Sequence, residues 1–294
     1  MSAILINGKE MSEKVRAEAS AFASGLKNKG IEPCLNVILV GNDPASEVYV
    51  RNKGRACEKA GIKEKTYKLG AETKESELLD LIDNLNADRN VHGILVQSPL
   101  ASHLDEKKMF NRISPEKDVD GFHPVNTGRM VIGEDCLLPC TPAGIKEMLV
   151  RTGIETAGKH VVVVGRSNIV GKPMANIMLQ KASGANSTVT IVHTGTKDPA
   201  FFTRTADILI VAAGRPDTIT EDMIKEGAIV IDVGMNRVTD PSKKKGYRLC
   251  GDVDFDKVSE KASYITPVPG GVGPMTIAML LSNTVKAAAS QNGA

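Results

Sequence analysis

Residues 160–173 read HVVVVGRSNIVGKP, an apolar run that passes through a glycine-containing turn into a helical pattern. Four consecutive valines predict a strand buried on both faces, and the turn after it would present backbone N–H groups at a helix start. Such groups, together with the helix dipole, can hold a phosphate. Gly165 and Gly171 have no glycine between them at the spacing of the usual dinucleotide fingerprint, so a tight turn without a ligand explains the motif equally well.

Similar apolar runs on both sides of this motif predict two α/β lobes. A longer stretch with helical spacing separates each run from the next, as parallel doubly wound sheets require. The runs of the first lobe are NVILVG (36–41), TYKL (66–69) and GILVQ (93–97). Those of the second lobe are HVVVVG (160–165), TVTIVH (188–193), DILIVAAG (207–214) and AIVIDVG (228–234). We therefore expect an α/β protein whose second lobe is Rossmann-like.

Two helical segments predict the domain boundaries. Residues 140–153, CTPAGIKEMLVRTG, have helix-start signals at Thr141 and Pro142 and a stop signal at Gly153, so we expect them to bridge the lobes. Residues 274–294 have apolar side chains at helical spacing and need a surface to cover, which we expect on the first lobe. The predicted domains are residues 1–140 with 274–294, and residues 141–273. A loose loop is expected at 239–248, with an exposed lysine cluster at 243–245.

The composition is that of an ordinary globular protein of 294 residues, with 41% hydrophobic and 24% charged residues. Its 37 basic and 35 acidic side chains nearly balance, which argues against sequence-independent nucleic-acid binding. The start of the sequence resembles no signal peptide, and no run is long enough to span a membrane, so we expect a cytoplasmic protein. The five cysteines are scattered, which is typical of reduced thiols and predicts neither a disulfide framework nor a metal site.

The strand TVTIVH (188–193) indicates which nucleotide the second lobe would bind. It ends without the acidic residue that would hydrogen-bond the ribose of NAD. The donors available instead are Arg166, Ser167, His193, Thr194 and Lys197. This pattern favours NADP over NAD, while His193 is better explained as a strand-end residue than as a catalyst.

Tyr49 and Lys53 lie one helical turn apart in YVRNK (49–53), in a chain with only four tyrosines and no tryptophan. An exposed helix face would explain this pair, and Gln97 and Asp120 taken singly could be a strand cap and a turn residue. Ligands, however, collect at the carboxyl ends of parallel strands, where Gln97 lies. The four side chains together therefore predict a site.

Residues 265–276, ITPVPGGVGPMT, combine stiff and permissive backbone positions. Prolines restrict the segment, whereas glycines allow the backbone to approach a flat ligand closely. A rigid crossover between the lobes explains the segment equally well.

Eight motifs together carry a resemblance to a known family: YVRNK, VQSPL, KDVDGFHPVNTGRM, CTPAGI, GRSNIVGKP, IDVGMNR, GDVDF and YITPVPGGVGPMT. In this order, and over nearly the whole chain, the sequence resembles the bifunctional methylenetetrahydrofolate dehydrogenase/cyclohydrolase family. The resemblance implies a homodimer with folate in the cleft between the two lobes and NADP on the second lobe. It also implies oxidation of 5,10-methylenetetrahydrofolate to the methenyl form, followed by hydrolysis to 10-formyltetrahydrofolate.

The resemblance also implies roles for individual residues. Lys53 would be the central catalytic residue and Gln97 its hydrogen-bond partner, with Tyr49 as a stacking wall and Asp120 as the anchor of the pterin. The further folate contacts would be Val96, Ser98, Pro269, Gly270, Gly271, Val272 and Gly273. The cofactor contacts would be Gly165, Arg166, Ser167, Thr194 and Ile231.

Two other functions are compatible with parts of this pattern. An NADP-dependent dehydrogenase without a hydrolase step would explain the second lobe but would leave Lys53 and Gln97 without a hydrolytic role. A catalytically silent folate- or nucleotide-binding protein would bind its ligands without turnover.

Overall fold

The computed structural model describes residues 2–243 and 246–294. Its strands are β1 (Ile4–Leu5), β2 (Cys34–Val40), β3 (Lys63–Leu69), β4 (Gly93–Val96), β5 (His160–Val164), β6 (Thr188–Val192), β7 (Ile208–Val211), β8 (Ile229–Asp232), β9 (Asn236–Thr239), β10 (Tyr247–Cys250) and β11 (Tyr264–Ile265). Its helices are α1 (Gly8–Asn28), α2 (Pro44–Lys59), α3 (Glu75–Ala87), α4 (Glu106–Arg112), α5 (Pro124–Ile132), α6 (Cys140–Arg151), α7 (Gly171–Leu179), α8 (Pro199–Thr203), α9 (Phe255–Lys261) and α10 (Val272–Gln291).

The chain divides into two compact units, each named here after its sheet. The three-stranded unit comprises residues 13–140 and 277–294, and the six-stranded unit comprises residues 1–12 and 141–276. The expected first domain included residues 1–12, but these residues lie with the six-stranded unit because β1 pairs in parallel with β11. The division after residue 140 falls at the first residue of α6.

The three-stranded unit has a parallel sheet in the order β3-β2-β4. All seven residues of the central strand β2 are buried, which is why this strand reads as a continuous apolar run. The core on one face joins β2 to α10 through Leu35, Val37, Leu39, Leu281 and Val285. The core on the other face joins β2 to α3 through Ile38, Val40, Leu78 and Ile82. The last part of α10 therefore covers this sheet.

The six-stranded unit has a parallel sheet in the order β1-β11-β8-β7-β5-β6, with a separate antiparallel hairpin of β9 and β10. Its middle strands β5, β7 and β8 are almost wholly buried, whereas the edge strand β6 is largely half-buried or exposed. The predicted α/β class is confirmed, because in both sheets neighbouring strands are parallel and joined through helices or long connections.

Several strands differ from the sequence-based expectation. β3 begins at Lys63, three residues before the predicted run. Its first three residues, Lys63 to Lys65, are charged and so do not read as an apolar run, but β3 is an edge strand and such strands tolerate charged side chains. The hairpin of β9 and β10 occupies part of the segment expected to be a loose loop. Of the lysine cluster expected there, Lys244 and Lys245 lie outside the described residues.

Candidate functional site

Helix α2 carries two of the predicted site residues. Its start is fixed by Asp43, whose carboxylate accepts a hydrogen bond of 2.7 Å from the Ser46 N–H, and by Pro44 in the first turn. Tyr49 and Lys53 then follow one turn apart on the same face. Tyr49 is 43% exposed, so a face of its ring is available to a ligand, whereas Lys53 is half-buried.

The end of β4 brings Gln97 to this lysine. Lys53 Nζ donates a hydrogen bond of 3.1 Å to Gln97 Oε1, across 44 positions of sequence. The Gln97 side chain is oriented by a second bond, in which its Nε2 donates to the Ser98 carbonyl at 2.7 Å. The Gln97 N–H donates to the Ile38 carbonyl at 2.9 Å and so extends the β2–β4 ladder by one residue. Neighbouring Val96 is buried and Ser98 is exposed.

Asp120 is the third member of this group. It is half-buried, and burial of its carboxyl group raises the pKa to about 6. The positive charge of Lys53 opposes this rise, and the negative charge of Asp118 adds to it, so Lys53 and Asp120 share one electrostatic environment. Gly121 follows with φ of +73° and packs so closely that a Cβ would lie 2.5 Å from the Leu138 carbonyl carbon.

Asn283 supports the Asp120 segment from helix α10, and the sequence-based prediction missed it. Its Nδ2 donates at 2.8 Å to the Val119 carbonyl and at 2.8 Å to the Leu138 carbonyl. The side chain therefore ties the residue before Asp120 to the segment that contacts Gly121. The available signal was an asparagine within the apolar stretch LLSNTV (280–285), since a buried amide requires partners.

The predicted folate loop, residues 269–273, belongs to the six-stranded unit. The Lys9 N–H donates to the Gly270 carbonyl at 3.0 Å, and Gly270 has φ of +107°. A Cβ on Gly271 would lie 2.6 Å from the Pro267 carbonyl oxygen. Two positions in this loop thus require glycine for conformation or space. The Val268–Pro269 peptide bond is cis.

A cavity of about 400 Å³ lies at the carboxyl end of β5 in the six-stranded unit. Its lining includes four of the predicted cofactor residues, Gly165, Arg166, Ser167 and Thr194. Gly165 has φ of +116°, and a Cβ there would lie 2.2 Å from the Ala212 carbonyl oxygen. A Cβ on Gly171, at the start of α7, would lie 2.2 Å from the Gly165 carbonyl oxygen. Close packing of strand, turn and helix therefore depends on both glycines, as in nucleotide-binding turns.

Arg166 and His193 face each other beside this cavity. The Gly195 N–H donates to His193 Nδ1 at 3.0 Å, which leaves the proton of a neutral imidazole on Nε2. Arg166 Nη1 lies 3.4 Å from that Nε2, so the guanidinium and the imidazole lie side by side at the cavity. An anion such as a phosphate would supply the missing acceptor. Two other predicted residues lie elsewhere: Ile231 is buried within β8, and Lys197 is exposed.

Over residues 2–243 and 246–294, no cluster of three His, Cys, Asp or Glu side chains could hold a metal ion. None of the helices in those ranges is both long and apolar enough to cross a membrane.

Comparisons with known proteins agree over both units. Two family models match, the tetrahydrofolate dehydrogenase/cyclohydrolase catalytic domain over residues 6–120 and the NAD(P)-binding domain of the same family over residues 139–292. The curated bifunctional protein FolD of Chlorobium phaeobacteroides is 57% identical over 285 residues, which cover 96% of each chain. The corresponding protein of Prosthecochloris aestuarii is 58% identical over 286 residues, which cover 96% of this chain and 97% of that relative.

Two solved structures show the same similarity in three dimensions. The bifunctional FolD enzyme of Campylobacter jejuni has a TM-score of 0.93 at 50% identity, covering 98% of this chain and 99% of that chain. The FolD of Trypanosoma brucei, solved with NADP cofactor and an inhibitor, has a TM-score of 0.93 at 39% identity, covering 100% of both chains. The similar part of the chain therefore contains the residues of the Lys53 group, which are Lys53, Gln97 and Asp120, and those of the cavity beside Gly165.

The raised pKa of Asp120 predicts that Asp120→Asn stabilises the protein at neutral pH. The unfolded carboxyl ionises near 3.8 and the folded one at about 6, so between these values only the folded state keeps the proton. The free energy of unfolding therefore falls as pH rises through this window. We expect the uncharged variant to gain roughly 1–2 kcal/mol at pH 7.5 and nothing near pH 4, measured by urea unfolding.

Asp83→Asn is the matched control in the same unit. The Arg112 side chain holds the pKa of Asp83 below its usual range through two hydrogen bonds, so this variant should lose stability at pH 7.5. If Asp120→Asn also lost stability at neutral pH, burial would not be the cause of the raised Asp120 pKa.

Proposed function

The chain belongs to the tetrahydrofolate dehydrogenase/cyclohydrolase family, and from this premise we propose that the Lys53 group carries out the hydrolysis step and positions the substrate for the oxidation. The protein is a bifunctional enzyme. It oxidises 5,10-methylenetetrahydrofolate to 5,10-methenyltetrahydrofolate with NADP and hydrolyses the product to 10-formyltetrahydrofolate. The observation that supports the assignment to these residues is the hydrogen bond from Lys53 Nζ to Gln97 Oε1.

Lys53 is proposed to move the proton in the hydrolysis step. Water must lose a proton as it adds to the methenyl carbon, and a general base within hydrogen-bonding distance accelerates such a step. After the Lys53 amine gives up one proton, it can still donate an N–H to Gln97 while its lone pair accepts the proton from water. The second bond of Gln97, to the Ser98 carbonyl, keeps its Oε1 aimed at the amine. Gln97 is therefore a positioning residue for the Lys53 nitrogen.

Asp120 and Tyr49 are proposed to hold the pterin and its neighbouring ring. The amino-pyrimidinone edge of a pterin presents two N–H donors, which a carboxylate can accept together. With a pKa of about 6, Asp120 is mostly ionised at neutral pH and can do so. The exposed ring of Tyr49 offers a stacking surface one turn before Lys53. Further folate contacts are proposed for Val96, Ser98, Pro269, Gly270, Gly271, Val272 and Gly273.

NADP fits the cavity at the end of β5. The turn from Gly165 to Gly171 packs too closely against its own backbone for a Cβ at either glycine, and the N–H donors of Arg166 beside this turn suit a phosphate. NADP, when bound, accepts the hydride from the methylene carbon. We propose that Gly165, Arg166, Ser167 and Thr194 hold it. Ile231 is also proposed as a contact, through the backbone, because its side chain lies in the core.

The two units are proposed to divide these tasks. The three-stranded unit would provide the catalytic side chains Lys53, Gln97 and Asp120, and the six-stranded unit would bind NADP. The family model of the NAD(P)-binding domain supports this division, because its match begins at residue 139. That match continues to residue 292 and so also includes α10. A cytoplasmic location also stays a proposal, supported by five cysteines that are all free thiols.

A homodimer is proposed, with β6 as its contact. This edge strand exposes 38% of Ile191, and the neighbouring helices expose 51% of Leu179 and 61% of Phe201. An exposed sheet edge flanked by apolar side chains suits a second copy of the same strand, because one two-fold axis would satisfy both edges.

Replacing Lys53 with Met should reduce methenyltetrahydrofolate hydrolysis by roughly 10²–10⁴-fold, because the proton acceptor is lost. The assay is the decay of methenyl absorbance without nicotinamide, which also separates this function from a dehydrogenase without hydrolase activity. The affinity for NADP, measured by calorimetry, should not change. Lys59→Met is the control, since Lys59 is exposed on the same helix. Full hydrolysis by Lys53→Met would remove Lys53 from the mechanism.

Replacing Arg166 with Ala should weaken NADP binding by about tenfold or more and NAD binding much less, because only NADP carries the 2′-phosphate. Dissociation constants for both nucleotides decide the question. Lys172→Ala serves as the control, because Lys172 is an exposed cation on α7 whose Nζ bonds to Asn168 instead. Equal losses for the two nucleotides would overturn the assignment of Arg166 to the phosphate.

Replacing Ile191 with Lys should convert dimers to monomers, because it places a charge on the proposed edge contact. Sedimentation velocity of the variant and of Ile132→Lys gives the comparison, since Ile132 is 69% exposed on α5 in the other unit. A dimer unaffected by Ile191→Lys would place the contact elsewhere.

A further inference from the structure

Two buried carboxylates in the six-stranded unit have no part in the function described so far. Asp232 ends β8 in the motif IDVGMNR, and Asp252 lies in the motif GDVDF just after β10. Asp232 is 3% exposed and Asp252 is fully buried. Buried carboxylates are costly unless their oxygens accept hydrogen bonds, so the donors that surround them indicate what they do.

Asp252 holds the chain segment that follows β7. Its Oδ2 accepts hydrogen bonds from the Ala213 N–H at 2.7 Å and the Gly214 N–H at 2.8 Å. Its backbone carbonyl accepts from the Thr218 N–H at 2.7 Å and the Ile219 N–H at 3.2 Å. Four backbone N–H groups of residues 213–219 therefore end on this one residue.

Asp232 fixes Asp252 from the other side. Its Oδ1 accepts from the Gly234 N–H and from the Asp252 N–H, each at 2.9 Å, and its Oδ2 accepts from the Val253 N–H at 3.1 Å. The packing is tight, because a Cβ on Gly251 would lie 1.8 Å from Asp232 Oδ2 and one on Gly234 would lie 2.3 Å from Asp252 Oδ1. The Asn236 side chain also donates to Asp252 Oδ1 at 2.8 Å.

The segment that Asp252 holds forms one wall of the cavity beside Gly165. Ala212, Ala213, Arg215, Thr218 and Ile219 all line that cavity. Asp232 and Asp252 lie behind this wall, with their oxygens engaged by N–H groups. Asp232 and Asp252 can therefore determine the shape of the cavity, but they are not among the residues that line it.

We propose that Asp252, fixed by Asp232, is a positioning residue for NADP binding. Asp252 keeps residues 212–219 in the conformation that binds the cofactor. This inference rests on the proposed cofactor site. A carboxylate with two N–H donors on one oxygen fixes both peptide groups at once, and small shifts of such a wall weaken ligand binding strongly.

Asp252→Asn tests the proposal, because an amide replaces one of the two acceptor oxygens. The variant should raise the dissociation constant and the KM for NADP roughly tenfold. Hydrolysis of methenyltetrahydrofolate needs no nicotinamide, so its KM and kcat in the same sample report general damage and should stay within about twofold of wild type. Unchanged NADP affinity, or parallel losses in both reactions, would overturn the positioning role.

Asp207→Asn is the matched control at the opposite end of β7. Asp207 also accepts a backbone hydrogen bond, from the His160 N–H at 2.7 Å, and pairs with Lys225, but these residues lie away from the cavity lining. This variant should lose stability without a selective change in NADP affinity. A rise in the NADP dissociation constant equal to that of Asp252→Asn would show a general effect of carboxylates that bond to backbone N–H groups in this unit and would overturn the proposal.

Asn236→Ala provides a second variant if Asp252→Asn does not fold. It removes one donor to Asp252 and leaves the carboxylate in place, so NADP affinity should fall about threefold. No change there would overturn the proposal. Calorimetric binding of NADP alone separates this inference from the proposed reaction, because it can be measured in an enzyme that fails to oxidise methylenetetrahydrofolate.

Discussion

The parallel pairing of β2 with β4 is the constraint on which the Lys53 group depends. Parallel neighbours end at the same edge of a sheet, so the helix that follows β2 and the residue that follows β4 emerge side by side. Gln97 continues the ladder by one hydrogen bond to Ile38 before its side chain turns to Lys53. The pairing of β5 with β7 does the same in the six-stranded unit, where Gly165 and Ala212 meet.

Around both sites, buried polar side chains rather than apolar packing determine the shape of the loops. Asn283 donates to two backbone carbonyls beside Asp120, and Asp252 accepts from two backbone N–H groups behind the cavity beside Gly165. A hydrophobic contact tolerates small displacements, whereas two hydrogen bonds between one side-chain atom and two backbone groups define both distance and direction. Loops held in this way can present glycine backbone to a ligand without a helix or strand of their own.

The Asp120 carboxylate lowers the stability of the folded protein in order to be available for ligand binding. Its burial disfavours the ionised form, and the positive charge of Lys53 recovers only part of that loss, since the pKa remains at about 6. In the proposed function, the ionised form is nevertheless the one that would accept two N–H groups from a pterin. The free-energy cost of burying the Asp120 carboxylate is present in the ligand-free protein. A ligand with N–H donors would offset it, so Asp120 would favour ligands that carry such donors.

The sequence by itself determined the α/β class and the buried strands β2, β4, β5, β7 and β8, which follow from short-range apolar runs. The grouping of Lys53 with Gln97 was indicated by the rule that ligands collect where parallel strands end, and their hydrogen bond was implied by the family resemblance. Only the tertiary structure decided the pairing of β1 with β11 and the contacts of Asn283 and Asp252. Asn283 reaches a carbonyl 164 positions away in the sequence, and no local pattern records which distant backbone group a buried polar side chain will meet.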